Sequence, residues 1–273
     1  MTEVLARSTQ LRGEDVMVVG ACCRDILQSS LGHDFTLRAT ADVDVGLAVA
    51  NWAAYDELTD ALTTCGNTGI RFQVAGMPAD LMPFGPVEDP PGTVSPPARR
   101  ESMSVWGFAE VFAAASPLPL GDDVVVRIPT TAGYAALKLA AWLDRSAYNE
   151  YKDASDIATV MYWYAESSEV DARLYETAHG QDVLVAEDLD SSLGAARLLG
   201  EDIAGVIGRD RLSELLKRWP GNKNDLLYQS MSVTNGPGWT ASLDRRQALA
   251  EAVERGMTAH RGEDMRDSEE PPG

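Results

Sequence analysis

Short β-branched runs punctuated by glycine and proline fill the first 130 residues, and stretches with apolar positions three to four apart fill the rest. The runs VMVV (16–19), DVDVGLAV (42–49), RFQVA (71–75), DLM (80–82) and VVVRI (124–128) predict strands. A helical stretch follows Gly20, and Trp52 to Leu62 predicts an amphipathic helix in which Leu58 and Leu62 stand i and i+4. The segment FGPVEDPPGTVSPP (84–97) is too rich in proline for either regular element and predicts a loop with the makings of a mobile flap. From Thr131 the period becomes helical, in TAGYAALKLAAWLDRSAYNEY, DASDIATVMYWYAE, SLGAARLLGEDIAGVI, RDRLSELLKRW and LDRRQALAEAVERGM. Asp153 or Ser155 is expected to cap the second of these, and Pro220-Gly221 to end the fourth. The pattern predicts an α+β chain: a mixed sheet with flanking helices over 1–130, a helical bundle over 131–262, and a disordered acidic tail over 263–273.

Composition narrows the setting. With 273 residues and 45% hydrophobic content the chain has material for a full core. Cys22, Cys23 and Cys65 have no metal-ligand spacing, and adjacent cysteines rarely form a structural disulfide, so a reduced, cytoplasmic setting is expected. No segment reaches the roughly 18 apolar residues that span a bilayer, and no membrane partner is expected. The net charge of −19 is opposite to the basic footprint of a protein that grips nucleic acid through phosphates. A nucleic-acid partner would need a local basic groove, for which Arg38, Arg71, Arg99, Arg100, Lys138 and Arg145 are the candidates. The acids are unevenly spread: Asp153 to Asp190 holds ten Asp or Glu against one Arg, so much of the charge is expected to lie away from any site.

Four segments carry candidate chemistry. In VMVVGACCRDIL a strand runs through Gly20-Ala21 into a helix, a turn whose free amides and helix dipole suit a phosphate. In ADVDVGLAV, Asp42 and Asp44 alternate with valines and so project from one face, about 7 Å apart. Their repulsion is relieved either by solvent, the usual case for an isolated Asp-x-Asp, or by a hard cation such as Mg²⁺. In RFQVAGMPADLMPFG, Gly76-Met77-Pro78 reads as a turn, with Asp80 at the start of the returning strand among apolar neighbours. That acid is costly unless compensated, or else sits on an edge facing water. In the helix after Thr131, Tyr134, Lys138, Ala141 and Arg145 share one face. Lys138 there points toward an anion such as an NTP phosphate or snorkels to the surface. Asp153 reads equally as a helix cap, and Asp156 as an ion-pair partner of Arg145. His33, His179 and His260 have no ligand spacing, Tyr162-Trp163-Tyr164 reads as core, and Arg99-Arg100 reads as a turn or a substrate clamp.

The order of these pieces, strand-glycine-helix, then Asp-x-Asp, then a lone Asp on a later strand, resembles the nucleotidyltransferase superfamily related to DNA polymerase beta. More narrowly, VGACCRDI, RATADVDVGLAV, VAGMPADLMPFG and AALKLAAWLDR followed by KDASDI look like the AbiEii/AbiGii toxin-type nucleotidyltransferases, over about Val16 to Tyr164. The resemblance implies a nucleotidyltransferase-type sheet and transfer of a nucleotide from an NTP to an acceptor hydroxyl. It implies two Mg²⁺ ions, with Mn²⁺ as a substitute, on Asp42, Asp44 and Asp80. It also implies nucleotide contacts by Gly20, Ala21, Arg24, Thr40, Lys138 and Arg145, with Asp156 in the same site. For the wider setting it implies a toxin with a cognate antitoxin protein and tRNA as acceptor. A small molecule or a protein as acceptor, or a non-catalytic binding protein on the same scaffold, remain the alternatives. Ala21 departs from the Ser or second Gly of many members, which leaves phosphate contacts there to backbone amides.

Overall fold

The computed structural model describes residues 5, 8–99, 101–121, 123–219, 224–234, 236 and 238–267. The β-branched runs become β1 (Val16–Val19), β2 (Val43–Ala48), β4 (Arg71–Val74), β5 (Met77–Phe84) and β9 (Val125–Ile128). They are joined by shorter strands, β3 (Thr63–Thr64) and β8 (Ser116–Pro119), into one mixed sheet in the order β3-β4-β5-β2-β1-β9-β8. β2 pairs with β5, and β1 with β9, in parallel; the other neighbours are antiparallel. Central β1 is apolar and buried at every position, as a strand covered on both faces must be. Helix α1 (Gly20–Ser30) leaves β1 with no intervening loop, while α2 (Trp52–Thr59) is started by the Asn51 side chain, which accepts from the Ala54 amide. Tyr55 on α2 donates its hydroxyl to the Leu81 carbonyl of β5 at 3.0 Å.

The chain divides into two compact units, Met1–Ser29 with Leu37–Thr130, and Ser30–Thr36 with Thr131–Gly273. The second is helical: α4 (Thr131–Arg145), α5 (Lys152–Ala165), α6 (Ser168–Glu176), α7 (Ala178–Ala186), α8 (Ser191–Arg218), α9 (Asn224–Ser230) and α10 (Leu243–Asp267), while α3 (Phe108–Ala113) belongs to the first unit. Long α8 is the centre, packing on α4, α5, α6, α7 and α10. It breaks at Gly208 (φ 71°, ψ 174°), between the two stretches read from the sequence as separate helices. Against α10 the packing is backbone to backbone. A Cβ at Gly200 would overlap the Val253 carbonyl and the Met257 amide, and one at Gly256 would overlap Arg197 and Glu201. Residues 30–36 join this unit through His33 and Phe35, whose rings lie 5.5 and 5.4 Å from that of Tyr162.

Several expectations are corrected. The 84–97 segment contains a strand, β6 (Thr93–Val94), which pairs with β7 (Met103–Ser104). Glu88 ties its backbone down by accepting from the Gly85 and Gly92 amides, and Val87 and Val94 are buried, so the loop is packed. Neither Asp153 nor Ser155 caps α5, whose cap position is Tyr151; Asp153 lies in the first turn, fully buried. The last helix continues to Asp267, past the start of the expected tail at 263; Pro220-Gly221 lies outside the described residues.

Two of the buried phenols, Tyr55 in the first unit and Tyr164 in the second, give a pH dependence. Burial, reinforced by Asp56 and Asp80, pushes Tyr55 up. Burial, reinforced by Asp202, which accepts from its hydroxyl at 3.0 Å, pushes Tyr164 up. Both folded-state pKa values exceed the unfolded one of about 10, so the stability linked to these protons is present below that pH and is lost as pH rises above it. Urea unfolding at about pH 8 and about pH 11 should show a lower midpoint at the higher pH. An unchanged midpoint would mean that the phenols ionise as readily in the folded chain.

Candidate active site

Strand register builds the site in the first unit. Arg71 stands opposite Asp80, Asp80 beside Asp44, and Asp44 opposite Val19, a row running across β4, β5, β2 and β1. Residues in register share a face, and Asp42, one residue before β2, joins the cluster through Arg71, which reaches both it and Asp80. The row ends where β1 passes into α1. Gly20 takes a left-handed φ of 64°, and a Cβ there would overlap the Asp44 carboxylate, so any other residue would be strained and would displace the acid. The positive end of an 11-residue helix therefore opens beside Asp44. Two residues along β2, the same face is closed by Phe84 and Phe108, which approach Gly46 so closely that its would-be Cβ lies 3.3 and 3.2 Å from their rings.

The carboxylates are not bare. Arg71 donates Nε to Asp80 Oδ1 at 2.8 Å, and its Nη2 reaches Asp80 Oδ2 at 2.8 Å and Asp42 Oδ2 at 2.6 Å. The Thr40 hydroxyl donates to the other Asp42 oxygen at 2.7 Å. Hydrogen bonds to Asp80, more than the attraction of the surrounding acids, hold the Arg71 guanidinium above its usual range. The neighbouring thiol of Cys22 is pushed up, mostly by burial and then by Asp25, Asp44 and Asp42, and stays protonated. Among the described residues, no three His, Cys, Asp or Glu side chains converge as a ready metal cage. The donor set nonetheless fits a hard divalent ion: three carboxylates in one cluster, with side chains 29% (Asp42) and 15% (Asp80) exposed and thus within reach of solvent ions. Such an ion would have to share that space with Arg71.

The remaining candidates have other partners. Ala21 is buried in the first turn of α1. Arg24, 1% exposed, donates to Asp25 at 2.7 Å and to the Arg38 carbonyl at 2.6 Å, and so braces the chain before β2. Arg99 donates to the Thr68 carbonyl, and Arg100 lies outside the described residues. Lys138, Arg145 and Asp156 belong to the second unit, in a buried ion network. Lys138 Nζ lies 2.7 Å from Asp156 and 3.3 Å from Asp153, and Arg145 lies 3.2 Å from Asp153. Lys138 thus finds anions within its own unit, and Arg145 pairs with Asp153 where the sequence suggested Asp156.

The role of Arg71 escaped the sequence, which offered it only as one cation among six. Its signal was available. With a two-residue turn at Ala75-Gly76, both at positive φ, counting back along the hairpin sets Arg71 against Asp80. Taking the turn as Gly76-Met77-Pro78 hides that pairing. The structure also puts Asp80 fourth in an eight-residue strand, and not at its start.

A cavity of about 500 Å³ lies beside β8 and β9, lined by Arg12, Glu14, Asp123 and Arg127 among others. Its mixed charge points to no chemistry. No protein-family model matches this chain, and no curated protein matches it.

Proposed function

We propose that the chain is a metal-dependent nucleotidyltransferase, which moves a nucleotide from an NTP to an acceptor hydroxyl. The observation that carries the reading is the in-register pair Asp44 and Asp80, with Asp42 joined to the cluster through Arg71, beside a helix start where only glycine fits. Asp42, Asp44 and Asp80 would hold Mg²⁺, which when bound supplies acidification of the acceptor hydroxyl and neutralisation of the leaving charge. The first amides of α1, unobstructed at Gly20 and small at Ala21, would receive phosphate oxygens. Thr40 orients Asp42 through its hydroxyl. In the transfer the acceptor oxygen bonds to the α-phosphorus as the bond to pyrophosphate breaks, and the hydroxyl proton is released.

A second reading is favoured by Arg71. With its guanidinium between Asp42 and Asp80 the acid cluster is already compensated, so a non-catalytic protein that binds a nucleotide or a partner has a physical reason to keep it. On the acceptor, the net charge of −19 fits a small molecule or a protein at least as well as tRNA, the acceptor suggested by resemblance, whose binding should weaken steeply with salt.

The test is incubation with each α-³²P-labelled NTP, Mg²⁺ and total cellular RNA, beside an Asp42→Ala/Asp44→Ala control. Label entering the tRNA band with one NTP, and absent in the control, is the expected result for a tRNA acceptor. Label staying in the NTP would remove tRNA as the acceptor and move the assay to added protein and small-molecule acceptors, and no transfer to those either would leave the binding-protein reading.

A further inference from the structure

The candidate site carries a cation of its own, on the strand next to the acids. We propose that Arg71 is the resident counter-ion of the carboxylate cluster and competes with a divalent cation for Asp42 and Asp80, thereby setting how tightly the metal is held. This rests on the reading of those acids as metal ligands.

Oxygen accounting supports it. Both Asp80 oxygens accept from Arg71; one Asp42 oxygen accepts from Arg71 and the other from Thr40. Three of the four oxygens accept from the guanidinium, both of those on Asp80 among them, so an ion held by Asp80 must share its ligand oxygens with Arg71. The forked guanidinium spans two carboxylates that face one another, a geometry a lysine ammonium would not reproduce. Strand pairing fixes this position: the tight β4-β5 hairpin sets Arg71 opposite Asp80, so its Cα cannot shift without breaking the ladder. The side chain is 31% exposed and those of Asp42 and Asp80 are 29% and 15%, so an ion from solvent reaches the cluster, where it meets a forked guanidinium already bound to both acids.

The experiment uses Mn²⁺ alone, titrated into the metal-free full chain and followed by the electron paramagnetic resonance of the free ion. Wild type, Arg71→Gln, Arg71→Lys and Asp80→Asn are compared. Arg71→Gln should bind Mn²⁺ about tenfold more tightly than wild type, and Asp80→Asn should lose binding. Arg71→Lys, which keeps the charge without the fork, should fall between wild type and Arg71→Gln; it carries the comparison if the glutamine variant fails to fold. Binding by Arg71→Gln equal to or weaker than wild type, with Asp80→Asn still losing it, overturns the competition and leaves the metal site standing. Absence of Mn²⁺ binding in both wild type and Arg71→Gln overturns the competition together with the metal reading.

Discussion

Replacing Asp44 with alanine should reduce nucleotide transfer by at least about a thousandfold while leaving the fold intact. The carboxylate lies beside Asp80 on a neighbouring parallel strand and against the opening of α1, so it stands nearest both to the second acid and to the helix dipole. Arg71 directs its hydrogen bonds at Asp42 and Asp80, so Asp44→Ala leaves those bonds in place, and its melting temperature should fall less than that of an Asp80 variant. Asp80→Ala should lose the same activity but also some stability, because it strips Arg71 of two hydrogen bonds. Parallel transfer assays and thermal melts separate the two variants; wild-type transfer by Asp44→Ala would remove it from the site.

The largest stability effect is expected at Lys138. Replacement by methionine keeps the aliphatic stem but takes away the lysine partner of two buried carboxylates, Asp153 at 0% exposure and Asp156 at 2%. Uncompensated buried charge costs about 3–5 kcal/mol. Chemical denaturation followed by far-ultraviolet circular dichroism should show the loss in the absence of any nucleotide. The double variant Lys138→Met/Asp156→Asn should recover part of it, since it removes one of the two buried charges that faced the lysine. A Lys138→Met protein as stable as wild type would show that the lysine contributes nothing to the stability of the helical unit.

What the sequence revealed follows from what is local. Alternation in DVDV predicts Asp42 and Asp44 on one face, though Asp42 lies one residue before β2 and meets the cluster through Arg71; Gly208 marks the break in α8 because no other residue readily takes its backbone angles. The helices α6 and α7 were missed because only a narrow stripe of each is buried, Val170 and Leu174 in one, Gly180, Val183 and Leu184 in the other. Among so many acids that stripe is faint; the surer signs were the capping side chains of Ser167 and Thr177. The partners of charged residues were the least legible. Whether Lys138 meets a phosphate or Asp156, and whether Arg71 meets solvent or Asp80, depends on register and helix crossing, which no single segment encodes.

The crossing of α8 and α10 has a bearing on how this chain tolerates change. At Gly200 and Gly256 each helix rests on the backbone of the other, so even a methyl group at either position forces the pair apart. At Gly205, on the same helix, nothing lies within 4 Å of a would-be Cβ. Glycines a single helical turn or so apart thus belong to opposite classes. Recoding these three to alanine would divide along this line: disruptive to assembly at Gly200 and Gly256, where two main chains touch, and a gain in rigidity at Gly205, where the side faces open space.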